Sequence, residues 1–159
     1  MKTALLCAVS LVAFSDLARA EEPSPLRGFP GVGEVVVASA HPDLGEARLR
    51  ALVEERLQKA SLLLDSSSPS ASRLSIRVSG DHNTSARGAA YTSYDAALTV
   101  TEPASLERDP SSHVSAVVWQ RAMRVGVFAR ELPAEAIIDK VQDLLGSFVA
   151  AVQAMRQAK

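Results

Sequence analysis

Apolar and polar positions along this chain change their period several times, and each change marks an element. Ala4 to Phe14 is an unbroken apolar run, preceded by Lys2 and followed by Ala18-Arg19-Ala20, which puts small residues at both cleavage subsites. This is the three-part pattern of a cleavable signal peptide over 1–20. The run is too short to cross a bilayer as an ordinary helix, and Asp16 and Arg19 end it sharply. Glu21 to Gly33 holds three prolines and three glycines and reads as a flexible leader.

Beyond the leader the pattern becomes structural. The β-branched run Val35-Val36-Val37 predicts a strand over Glu34 to Ala40, broken by His41-Pro42-Asp43. Asp43 is then the expected N-cap of a helix from Leu44 to about Leu64. Its stripe is Leu49, Leu52, Val53, Leu57, Ala60, Leu63 and Leu64, with Arg48, Arg50, Glu54, Glu55 and Lys59 facing away. Arg73 to Ser79 alternates strictly, with Leu74, Ile76 and Val78 on one side, as a half-buried strand does. Gly80 to Gly88 reads as a loop. Tyr91 to Thr101 alternates again, Pro103 to Ser112 reads as a loop, and Val114 to Arg121 is a further strand, with an extension towards Phe128 possible. Pro133 at the first helical position opens a last helix to about Gln157, striped by Ile137, Ile138, Val141, Leu144, Leu145, Phe148, Val152 and Met155.

The order β-α-β-β-β-α predicts an α+β fold, with 34–159 as one domain. The first two strands should be parallel with a right-handed crossover, and the last three should form an antiparallel meander. Each helix has one apolar stripe, so both should cover the same face of a four-stranded mixed sheet, giving a two-layer sandwich.

Charge and cysteine content narrow the function classes. The chain carries 17 basic and 18 acidic residues. Removing Lys2, Arg19 and Asp16 with the signal leaves 15 against 17, a near-neutral balance with no electrostatic footprint for nucleic acid. No stretch after Ala20 is apolar enough to span a membrane. The only cysteine, Cys7, lies inside the signal, so the mature form has no disulfide, thiolate metal site or catalytic thiol. Leu5-Leu6 precede Cys7 where a lipoprotein signal needs a small residue, so a lipid anchor is not expected.

Candidate chemistry is sparse. His41, His82 and His113 show no helical ligand spacing. His41 and His82 both follow strands running the same way, so they can meet at one sheet end, with Asp43 or Asp81 as a weak metal alternative; His113 belongs at the other end. The Ser66 to Ser70 loop lacks a nucleophile elbow. Gly28 to Gly33 precedes a strand instead of joining strand to helix, and so does not cradle a phosphate. Asn83-Thr84-Ser85 matches a glycosylation acceptor but reads as a polar loop, and Asp81-His82-Asn83 is the densest polar cluster on it. No catalytic residue and no cofactor is expected. With both helices on one face, the other face is free for contact. The residues expected there are Arg73, Ser75, Arg77, Tyr91, Ser93, Asp95 and Thr99, with Val117, Trp119 and Arg121 from the last strand. Of these, Arg73, Arg77, Tyr91, Asp95, Trp119 and Arg121 are the candidate binding residues, Trp119 being equally compatible with the core.

The series Leu49 to Leu57, Leu74-Ser75-Ile76, Tyr94 to Val100, Val114 to Trp119 and Ile137 to Val149 resembles small uncharacterised bacterial exported, periplasmic proteins. In order and spacing it is also similar to the auxiliary lipoproteins of ABC-type transport systems and to the lipopolysaccharide-assembly lipoprotein. The resemblance covers nearly all of the mature chain. It implies a sheet with two helices and a binding role in envelope assembly or transport. The chain departs from those lipoproteins in lacking a proper lipid-attachment cysteine. The resulting expectation is a soluble periplasmic or secreted accessory protein. It would contact an envelope protein, or another copy of itself, through the open sheet face or an edge strand. The alternative is a small-ligand or metal-binding protein using the loop end near His41 and His82.

Overall fold

The computed structural model describes residues 26–65, 71–84, 88, 90–127 and 132–158. The signal-like segment, Cys7, the first leader residues, the serine-rich loop, Ser85 and Phe128 lie outside them. Six elements follow in the expected order: β1 (Val32–Ser39), α1 (Glu46–Lys59), β2 (Ser72–Thr84), β3 (Ala90–Leu106), β4 (Asp109–Val127) and α2 (Ala134–Gln157). The strands form one sheet in the order β1-β2-β3-β4, the first pair parallel and the other two antiparallel.

Strand alternation builds the core. Val35 and Val37 of β1, Leu74, Ile76 and Val78 of β2, and Tyr94, Ala96, Leu98 and Val100 of β3 are all buried on one side. Onto that side pack Leu49, Val53 and Leu57 of α1, spaced one helical turn apart. The longer buried stripe of α2, centred on Leu144, Leu145 and Phe148, packs beside them. The mixed sheet and its pair of helices make an α+β fold, with the helix layer on one face.

Several boundaries differ from the sequence pattern, each for a physical reason. Helix α1 begins at Glu46 with Gly45 as N-cap, not at Leu44 with Asp43 as cap: the chain first makes a turn in which the Asp43 amide donates to the His41 ring and the Leu44 amide to His41 O. It stops at Lys59, well short of Leu64. Ser61 adopts φ 54°, the Ser61 amide donates to Gln58 O and the Leu62 amide to Leu57 O, which together close a Schellman turn. The apolar residues that follow leave the helix. Leu64 donates to Val32 O and Leu62 O accepts from the Val32 amide, so the segment bridges to the start of β1. Gly31 sits at φ 139°, where a Cβ would lie 2.8 Å from Leu62 O, so this junction requires glycine.

The segment from Leu26 onward is not a free leader: Leu26 and Phe29 are buried, and Phe29 meets Phe148 edge to face at 5.6 Å. Strand β1 starts at Val32, ahead of Glu34. The two expected loops are largely strand. The Asp81-His82-Asn83 cluster pairs with Ser93, Thr92 and Tyr91, which carries β2 through to Thr84. Pro103 to Leu106 continues β3, and Leu106 pairs with Asp109 across a two-residue turn at Glu107-Arg108. Pro103 is tolerated because β3 loses its β2 neighbour after Thr101 and becomes an edge there. Pro133 is the N-cap of α2 and Ala134 its first helical residue.

Serine at a left-handed C′ position is strained where glycine is not. Replacing Ser61 by Gly is therefore expected to stabilise the fold by about 0.5–1 kcal/mol, read as a higher urea midpoint at unchanged slope. An equal or lower midpoint would show that the serine side chain compensates for its backbone.

Candidate functional site

The uncovered sheet face is built by register. Odd-numbered positions of β2 and β3 point away from the helices, and their neighbours form rows across the sheet. One row is Glu34, Arg73, Thr101 and Val117; the next is Val36, Ser75, Thr99 and Gln120; the third is Ala38, Arg77, Ala97 and Ala122. Arg73 donates from Nε to Glu34 Oε2 at 2.7 Å in an exposed pair. Asp95 accepts two hydrogen bonds from Arg124, at 2.8 and 2.9 Å, directly across β3 and β4. Arg77, exposed between Ala38 and Ala97, makes no hydrogen bond or ion pair among the described residues. Tyr91 lies on the same face towards the far end, while Ser93, expected to be open there, is buried.

Trp119 and Arg121 are not on this face. Trp119 lies opposite the fully buried Val100, and its ring centroid is 5.4 Å from that of Phe148 on α2. Arg121 lies opposite buried Leu98, hence on the helix side, and stays exposed because β4 is an edge. The cause is a β-bulge. Val100 pairs with Trp119 but Thr101 pairs with Val117, so Val118 is an extra residue and the side-chain alternation inverts across it. Val118 and Trp119 can both pack on the core, while Val117 is left 56 % exposed. The signal was in the chain: Val117-Val118-Trp119 is an apolar run that breaks strict alternation.

The sheet end after β1 and β2 holds the second candidate. His41 is buried at 5 % exposure, its Nε2 donating to Leu132 O at 2.7 Å while Nδ1 accepts the Asp43 amide at 3.2 Å. Its ring also leans on Tyr94, with centroids 4.9 Å apart. Both ring nitrogens are committed, so His41 is a strut tying the β1–α1 link to the approach of α2, with no lone pair left for a metal. His82 and Asp81 are strand neighbours and point to opposite faces, so they do not converge. No group of three or more metal-binding side chains exists among the described residues. His113 stands near the opposite end, within 3.3 Å of Ser105 Oγ.

Around His41 and His82 there is nevertheless a polar cleft of about 510 Å³, lined also by Asp43, Thr92, Tyr94 and Leu132. His82 Nδ1 is held by Thr92 Oγ1 at 3.1 Å. A larger furrow, about 840 Å³, runs between the outer sides of α1 and α2 past Leu52, Arg56, Gly146 and Ala150. Its borders include charges already used in helix-surface pairs, Lys59 with Glu55 and Asp143 with Lys140.

No protein-family model and no curated protein matches the chain. Among the solved structures that do match is the crystal structure of the rare lipoprotein B from Shewanella oneidensis. It is 16% identical over 79% of this chain and 92% of that one, with a TM-score of 0.30. So loose a superposition carries no functional inference.

The Asp95–Arg124 pair sets a pH signature for the open face. Hydrogen bonding from Arg124 holds the Asp95 carboxyl below its ordinary value of 3.8, outweighing the opposing effect of burial, and the Arg124 charge adds to the lowering. A depressed folded value means stability that is present above the unfolded value and lost as pH falls through the folded one. Replacing Arg124 by Gln should therefore flatten the stability profile below about pH 4. At pH 7 it should change stability little, because the pair is solvent-screened. Chemical denaturation of both proteins from neutral to acid pH measures this. Parallel profiles would mean that the pair is not formed in solution.

Proposed function

We propose that this chain is an exported accessory protein of the bacterial envelope that acts by binding a partner protein, without catalysis, along β4 and the adjoining open sheet face. The observation that carries the reading is the length and state of β4. It is a 19-residue edge strand, paired on one side only among the described residues. A row of outward backbone donors and acceptors is a template for strand addition. Beside it the open face offers exposed Val117, the small residues Ala97 and Ala122, and the uncommitted Arg77. Such a patch combines an apolar contact, close backbone approach and one cation for orientation. Export rests on the N-terminal pattern of Lys2, the Ala4–Phe14 run and Ala18-Arg19-Ala20. No helix among the described residues is long and apolar enough to cross a membrane.

Photocrosslinking residues placed at Val117 and at Arg77 in the native cell should give the same discrete adduct, and one placed at Arg50 on the outer side of α1 should not. Val117→Lys, a charge on the edge, should weaken that adduct about tenfold without lowering the melting temperature. Adducts of equal yield from Arg50, or none from Val117 and Arg77, would remove this reading.

A further inference from the structure

The cleft around His82 is independent of β4, and its chemistry is more specific than its size. Strand β1 leads into it through His41, and β2 runs parallel to β1 and ends beside it. Helix α1 starts a few residues after Asp43 and α2 two residues after Leu132, and both of those residues line the cleft. The N-termini of both helices therefore lie at this end of the sheet. Neither has a side-chain cap; the Ala136 amide donates to Pro133 O, but the earlier first-turn amides have no side-chain acceptor, and the positive ends of both helix dipoles lie at this end of the sheet.

A second observation is independent of the helices. Tyr94 is only 8% exposed, with its ring over Gly80 and against His41. Its hydroxyl has no hydrogen-bond partner among the described residues, where no sealed polar atom is left unpaired. The hydroxyl therefore opens onto the cleft that Tyr94 lines. A buried tyrosine normally finds a partner for its hydroxyl. Here the available position for one is in the cleft, where His82 also keeps Nε2 uncommitted while Thr92 holds Nδ1.

We infer that this cleft is a binding site for a small oxyanion, phosphate or carboxylate, that carries a hydroxyl or ammonium group beside it. The oxyanion accepts from the Tyr94 hydroxyl and His82 Nε2 in the field of the two helix N-termini. The exposed Asp43 carboxylate on the cleft wall accepts from the neighbouring donor group, so a bare anion binds less well than a substituted one. His41 takes no direct part: both its nitrogens are spent holding the walls together.

The test titrates the full chain with inorganic phosphate, glycerol 3-phosphate and lactate by calorimetry, with the His82 ring resonances as a local reporter. Saturable binding is expected, tighter for glycerol 3-phosphate than for inorganic phosphate. Tyr94→Phe and His82→Gln should each weaken it about tenfold. Because the Tyr94 hydroxyl has no hydrogen-bond partner among the described residues, Tyr94→Phe should leave the melting temperature unchanged, which separates lost binding from lost folding. Asp43→Asn should erase the preference for glycerol 3-phosphate, and Arg77→Ala on the other face should change nothing. Vesicles containing phosphatidylglycerol decide the source: cosedimentation that Tyr94→Phe abolishes assigns the site to a lipid headgroup, whereas saturable soluble binding without cosedimentation assigns it to a free metabolite. No saturable binding of any probe, or binding indifferent to Tyr94→Phe and His82→Gln, overturns the proposal.

Discussion

The seat of Phe148 on the sheet is the contact on which the rest of the molecule depends. This fully buried ring of α2 meets Phe29 from the leader edge to face and the tilted Trp119 of β4 on another side. One side chain thus joins the segment before β1, the last helix and the far edge of the sheet. Removing such a ring from a closed core costs about 3–5 kcal/mol, a large part of the stability of a domain this size. It also fixes α2 over β3 and β4 while α1 covers β1. Both helices are then committed to one face, and the other is left to polar and small side chains.

That asymmetry explains why the outer rows look as they do. An uncovered face cannot carry a continuous apolar patch without inviting association, and here the residues alternate between exposed ion pairs and small side chains. The unusual feature is the hairpin of β3 and β4, which continues past the last β2 pair at Arg73 and Thr101 for several more rungs. Its edge carries devices that normally blunt strand pairing, namely the bulge at Val118 and the flanking Arg121 and Arg124. Between the bulge and the turn, however, Val114 and Val117 remain exposed. The protected and unprotected parts of one strand differ in kind, which suits an edge that admits a specific partner.

Most of the architecture was legible in the sequence because it follows from period. The alternation in Arg73–Ser79 and Tyr91–Thr101 and the stripes of α1 and α2 each identify a face without tertiary knowledge. What was not legible is where pairing overrides composition. Asp81-His82-Asn83 and Pro103–Leu106 have turn-like chemistry, yet each has a partner strand that satisfies its backbone, so they extend the ladder. Leu26 and Phe29 are isolated apolar residues among prolines and glycines, and isolated residues have no period to read. The face of Trp119 is left open by the sequence, and parity counted from Val114, which points it outward, is inverted by one extra residue. A single bulge moves every side chain beyond it to the other side of the sheet.

Topology decides which of the histidines can share a site, and the local bonds decide what that site can be. The parallel β1-α1-β2 unit sends α1 back from the end where β1 and β2 finish, and α2 returns from the same end after β4. That end therefore gathers two helix starts, the turn after β1 and the first residues of β3 in one place. His41 is spent there as structure: a neutral ring donating from Nε2 and accepting at Nδ1 holds two connections that share no secondary structure. Because the fold is closed by His41, the neighbouring Tyr94 hydroxyl is not needed for the closure, and of the His82 ring only Nδ1 is tied to the wall, through Thr92. A metal would need the nitrogens that His41 has already committed, whereas an acceptor needs only the donors that are left over. The same pair of bonds that makes the cleft rigid thus selects its chemistry.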